Sequence, residues 1–133
     1  MTLSKFIRSV TSMILALSML SFSNLTLASE AIASGKFKGA SGHATSGSVS
    51  IVKTANGLQV VLGDDFKFDG APDAKVGFGK SGEYDSNSQI DILRSNNGQQ
   101  TYTVPASLNI ESYDEVYIWC KQYNVSLGVA KIK

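Results

Sequence analysis

The chain has 133 residues, with 12 Lys+Arg, 11 Asp+Glu, one His, one Cys and three Met, a length that suits a single domain. One His and one Cys exclude any site that draws several His or Cys ligands from one copy, and all three Met (Met1, Met13 and Met19) fall within the first twenty residues. The near-neutral balance excludes a nucleic-acid binder built on a broad basic surplus.

In chain order, Lys5 and Arg8 make a short positive start, and Ser9 to Ser29 carries no charge, with an apolar centre from Met13 to Leu20. Thr26 and Ala28 are small residues of the kind a signal peptidase accepts before Ser29, and Ala31-Ile32-Ala33 offers a second site. Residues 1–28 therefore read as a cleaved export signal and residues 29–133 as the mature domain. A membrane anchor is the competing reading. Against it, Ser9, Thr11, Ser12, Ser18, Ser21, Ser23, Asn24 and Thr26 interrupt the ~20-residue apolar run that a span requires. No Cys lies near the cut, which argues against a lipid-anchored form. Losing Lys5 and Arg8 leaves 10 basic residues against 11 acidic ones, a mature net charge of −1. The expected location is the periplasm or the exterior, with no stable membrane insertion after cleavage and no nucleic-acid partner.

Beyond the leader, short runs with a period of two alternate with Gly, Asn and Asp clusters. Val49 and Ile51 are followed by the hairpin signal Asn56-Gly57, after which Leu58, Val60 and Leu62 resume the alternation. Asp69-Gly70 and Pro72-Asp73 are turn pairs, with Phe66 and Phe68 before them on one face. Further strands are predicted over Lys75–Gly79, Gln89–Leu93 and Gln100–Val104, and one short helical turn within Ala106–Asp114. Val116, Ile118 and Cys120 share one strand face and Tyr117 and Trp119 the other. After a turn at Asn124, Val125, Leu127 and Val129 alternate with Ser126, Gly128 and Ala130. The pattern predicts one all-β domain, an antiparallel β-sandwich or barrel of short strands.

The residue inventory narrows the chemistry. No G-x-S-x-G elbow positions a serine for the single His43, and Cys120, inside a strand beside Trp119, lacks the helix N-terminus that activates thiols, while the adjacent Lys121 should point to the opposite face. Blue copper, structural zinc, covalent c-type haem and His/Met haem each need ligands that the mature chain lacks. Cys ligation, alone or with His43, survives, as does a site shared between two copies. The acidic run Asp64–Asp73 lacks the spacing of a calcium loop, and turn formation explains it. His43 lies in a Gly/Ser-rich entry to the first strands, where a hydrogen-bonded surface role is the simpler reading. Cys120 has the alternative of a small buried hydrophobe.

Taken together, Gly35-Lys36-Phe37, His43 with Ser46-Gly47-Ser48-Val49, Leu58–Leu62, Phe66–Ala74, and Val116–Tyr123 with the final strand through Gly128 resemble the DM-thirteen domain. The resemblance runs from about Lys36 to Ile132, and its most distinctive segment is Phe66-Lys67-Phe68-Asp69-Gly70-Ala71-Pro72-Asp73. It implies an extracytoplasmic β domain with a redox or electron-transfer role, in which the characteristic cysteine, here Cys120, works as a thiol or a haem ligand. His43 is then a candidate second ligand or hydrogen-bonding partner. Some relatives carry the domain beside DOMON domains and membrane cytochromes, so a separate redox partner protein is implied, with haem or no cofactor at all. A Cys120-linked homodimer is a further expectation. The rival is a non-catalytic module that binds proteins or glycans, with a structural Cys120 and an aromatic face drawn from Tyr102, Tyr113, Tyr117 and Tyr123. No hydrolase or transferase chemistry is expected.

Overall fold

The structure, a computed structural model, describes residues 29–133; the expected signal peptide lies outside the described residues. Its strands are β1 (Glu30–Gly39), β2 (Thr45–Ser46), β3 (Ser48–Thr54), β4 (Gly57–Leu62), β5 (Lys67–Phe68), β6 (Ala74–Lys80), β7 (Glu83–Tyr84), β8 (Asp91–Ile92), β9 (Gln100–Thr103), β10 (Glu115–Cys120) and β11 (Val125–Lys131). Two single 3-10 turns, Ser86–Ser88 and Ile110–Ser112, complete the secondary structure. The second falls inside the segment expected to make a short helical turn.

The strands lie in the order β7-β6-β10-β11-β1-β3-β4-β9, with β8 also on β6 and every pairing antiparallel. The long strand β1 joins the two halves of the sheet. Its first part, Glu30–Lys36, pairs with β3, and its last part, Phe37–Gly39, with β11. The sheet curls there into a half-barrel, in keeping with the all-β antiparallel expectation. Val49, Ile51, Val60, Leu62 and Tyr102 from one half and Val76, Phe78, Val116, Ile118 and Cys120 from the other form one buried cluster. A separate ribbon of β2 and β5 adds Phe68 to it, and Phe66 beside the ribbon packs edge-on against Phe37 with ring centres 5.5 Å apart.

Three expectations shift in detail. The hairpin joining β3 and β4 exists, but Thr54 pairs with Gly57, so its loop is Ala55-Asn56 and Gly57 takes the positive φ (119°) as the first strand residue. Of the Gln89–Leu93 run only Asp91–Ile92 becomes strand. In the last hairpin the register slips between Ile118 and Trp119, where Ile118 faces Gly128 and Trp119 faces Ser126. This bulge adds Leu127 as an extra residue. Leu127, Ala130 and Ile132 therefore enter the core, whereas Val129 turns to the outer face.

Candidate functional site

Cys120 ends β10 on its inward face, as the alternation predicts, and is only 1% exposed. Its Sγ–H donates to the backbone carbonyl of Pro72, 3.2 Å away. Pro72 belongs to the loop Asp69–Asp73, which links β5 to β6 and covers the thiol.

That loop is tied down at both ends. At the first end, the amide of Ala44 donates to Asp69 Oδ2 (2.9 Å), Asp69 N donates to the Ala44 carbonyl (3.1 Å), and His43 Nδ1 meets Asp69 Oδ1 at 2.9 Å. The Ala44 N–H and then His43 hold the Asp69 carboxyl below its usual range. At the other end, Asp73 pairs with Lys75 Nζ at 2.8 Å, and its carbonyl accepts from Lys121 N at 3.2 Å. Gly70 and Asp73 supply the positive φ values, 93° and 55°, that turn the chain between the anchors. Asp and Gly tolerate that conformation, so this part of the acidic run is turn chemistry, with the carboxylates of Asp69 and Asp73 holding its two ends.

The two residues singled out in the sequence thus meet opposite ends of one loop, His43 through Asp69 and Cys120 through Pro72. They do not share a cavity. His43 lies against Phe68 (ring centres 5.9 Å apart) on a groove of about 410 Å³ that it lines with Gly39, Thr45, Lys67 and Asp69. Cys120 is absent from that lining. A haem gripped between them needs a slot that both side chains face. Here the sulfur points into packed core and a carbonyl, and one ring nitrogen of His43 is engaged by Asp69. The residues do not fit that group, and no step is derived through it.

The rival aromatic face fares no better. Tyr102 and Tyr117 are each 1% exposed, Tyr113 is half-buried with its hydroxyl 2.6 Å from Asp85, and only Tyr123 is open to solvent. The sequence reading missed what surrounds Tyr117. Trp119 stacks on Tyr84 (ring centres 4.2 Å apart, planes 14° apart), and Tyr117 stands edge-on beside it at 6.3 Å. The stack lies across β6, where a Cβ on Gly77 would meet the Tyr84 ring at 2.8 Å and one on Gly79 the Tyr117 ring at 2.4 Å. Gly77-Phe78-Gly79, whose two glycines pair with Tyr117 and Glu115 on β10, was the available signal. Also missed was Glu115, buried at 1% exposure, whose carboxylate accepts from Gly82 N (2.5 Å) and the Tyr117 hydroxyl (2.7 Å).

Among known proteins, a family model described as electron transfer DM13 matches residues 36–132. No curated protein matches the chain, and no solved structure does.

Proposed function

The chain belongs to the electron-transfer DM13 family, and from that premise we propose that it is an exported domain whose redox chemistry runs through the thiol of Cys120, uncovered by local opening of the Asp69–Asp73 loop. The bond from Sγ–H to the Pro72 carbonyl carries this reading. In the closed state the sulfur is a protonated donor under a surface loop, shielded from adventitious oxidation. Loops held by a few exposed hydrogen bonds open at far lower cost than the whole fold.

With the loop open, the Cys120 thiolate attacks a disulfide of a partner protein. A new sulfur–sulfur bond joins Cys120 to one partner sulfur, the partner's own disulfide breaks, and its released thiolate takes up the proton that Cys120 lost. A thiol of a reducing protein then attacks the partner's sulfur in the mixed disulfide: a bond between the reducing protein and the partner forms, the bond to Cys120 breaks, and the Cys120 thiolate leaves and takes up the proton of the attacking thiol. His43 acts here as a positioning residue, holding the loop through Asp69. Burial of Cys120 favours the rival, a binding module with a structural thiol, and the test separates the two.

Protein purified from its exported compartment is mixed with a small aromatic disulfide, alongside Asp69→Asn and a Cys120→Ser blank. One mixed disulfide per native chain, formed faster in Asp69→Asn, is the expected result. A native thiol silent until the chain unfolds would assign Cys120 to the core. A Soret band lost in Cys120→Ser would replace the thiol reading with haem ligation, and a reducible dimer would replace it with cross-linking.

A further inference from the structure

We propose that the outward face of β1 and β11 is a docking surface for an acidic partner protein. On β1, Phe37 is buried, so its neighbours Lys36 and Lys38 point outward and are exposed. Register fixes what they face: Phe37 pairs with Ala130 and Lys38 with Val129. Two residues before Lys36, Ser34 exchanges backbone hydrogen bonds with Lys133 at 3.0 and 3.1 Å. Lys36 therefore stands opposite Lys131. Three exposed ammonium groups surround the half-buried Val129, with Lys133 at the end of the row. Between them runs a shallow groove of about 320 Å³ lined by Lys36, Lys38, Gly39, Val129 and Lys131.

Among the described residues no carboxylate makes a direct ion pair with these lysines; the ion pairs there join His43 to Asp69, Lys75 to Asp73 and Arg94 to Asp91. Glu115 sits across from Lys131 on β10, but its oxygens are taken by Gly82 N and the Tyr117 hydroxyl. Asp65 is near enough to feel Lys36, yet its carboxylate is committed to the amide and hydroxyl of Ser48. Like charges facing each other across a strand pair oppose folding, so the arrangement does not serve the fold. Nor is it a by-product of general basicity, because the mature chain is slightly acidic overall.

The chemistry selects the occupant. A small-molecule site would be concave, with fixed donors. These lysines are free on flexible stems around one apolar residue, which suits long-range steering and short-lived contact with a carboxylate-rich protein surface. Electron-transfer encounters are typically of this small, transient class. The inference rests on family membership and surface charge and is independent of any role for Cys120.

A poly-glutamate peptide serves as the probe, titrated into isotope-labelled protein and read by backbone amide shifts. Shifts should cluster at Lys36, Lys38, Val129 and Lys131. Affinity should fall about tenfold as ionic strength rises from about 0.01 M to about 0.15 M, over which the screening length drops from about 30 Å to about 8 Å. The triple variant Lys36→Gln/Lys38→Gln/Lys131→Gln should lose binding with Tm no lower than that of the native chain, since it removes facing like charges, while Lys53→Gln/Lys67→Gln/Lys121→Gln and Cys120→Ser keep binding. Shifts scattered over every exposed lysine would overturn the proposal. Tighter binding of a polyuronate chain on the same face would also overturn it, assigning the surface to an anionic glycan.

Discussion

At the scale of single residues, Cys120 was legible because a period of two places it beside Val116 and Ile118 on the inward face. What covers it was not, since Pro72 lies 48 positions away and no local pattern encodes that meeting. Replacing Cys120 by Ala removes one sulfur from a packed site that can partly collapse, so a loss of about 1 kcal/mol is expected in denaturant unfolding. Tyr84 offers the opposite sign. Its hydroxyl is buried with no hydrogen-bond partner among the described residues, and burial, with Asp85 nearby, pushes its pKa up to about 12. Tyr84→Phe deletes an unpaid desolvation cost and should raise stability by about 1 kcal/mol, read as a higher Tm.

Tyr113 titrates in the same range, raised to about 12 chiefly by its hydrogen bond to Asp85. Above pH 10 the unfolded phenols release protons that the folded ones keep, so stability is full below pH 10 and falls as pH rises toward 12. Alkaline unfolding followed by tyrosinate absorbance should show a fall in stability across that window that is smaller in Tyr84→Phe.

At the scale of elements, strands whose alternation is uninterrupted, such as β3, β4 and β10, were readable from sequence. Bulges were not, because one inserted residue reverses every side chain beyond it. The slip at Leu127 brings Gly128 inward against Thr45, where a Cβ would lie 2.6 Å from the threonine methyl. Gly128→Ala should therefore cost about 2 kcal/mol through overpacking, measured as a lower denaturant midpoint. The distinctive Phe66–Asp73 run could be read as turns, yet its function as a cover depends on Ala44, His43 and Lys121, which come from other elements. Acid should loosen it. The Asp69 carboxyl sits below its ordinary value of 3.8, so its anchoring is intact above that pH and is lost as pH falls through the lower folded value. Amide exchange at Ala44, which donates to that carboxylate, should accelerate there, and Asp69→Asn should abolish the pH step.

For the whole molecule, the many short alternating runs between Gly and Asn turns gave the right class, an antiparallel all-β domain, while the curl into a half-barrel depends on how β1 divides its pairing between β3 and β11. Composition concealed the charge distribution. A net charge near zero is compatible with a lysine row on β1 and β11, and only register reveals that Lys36 faces Lys131. The curl also explains why one thiol can be both buried and close to the surface. Cys120 closes the end of its strand, with core on one side and a single loop on the other.

The most direct test of the gated thiol is the rate at which native protein reacts with an excess of small disulfide, followed across low denaturant concentrations. Opening of a short loop exposes little surface, so the rate should stay nearly flat well below the unfolding midpoint and should rise in Asp69→Asn at every concentration. A rate that climbs with the full denaturant dependence of global unfolding, and is blind to Asp69→Asn beyond its effect on overall stability, would mean that Cys120 is reached only when the fold is lost.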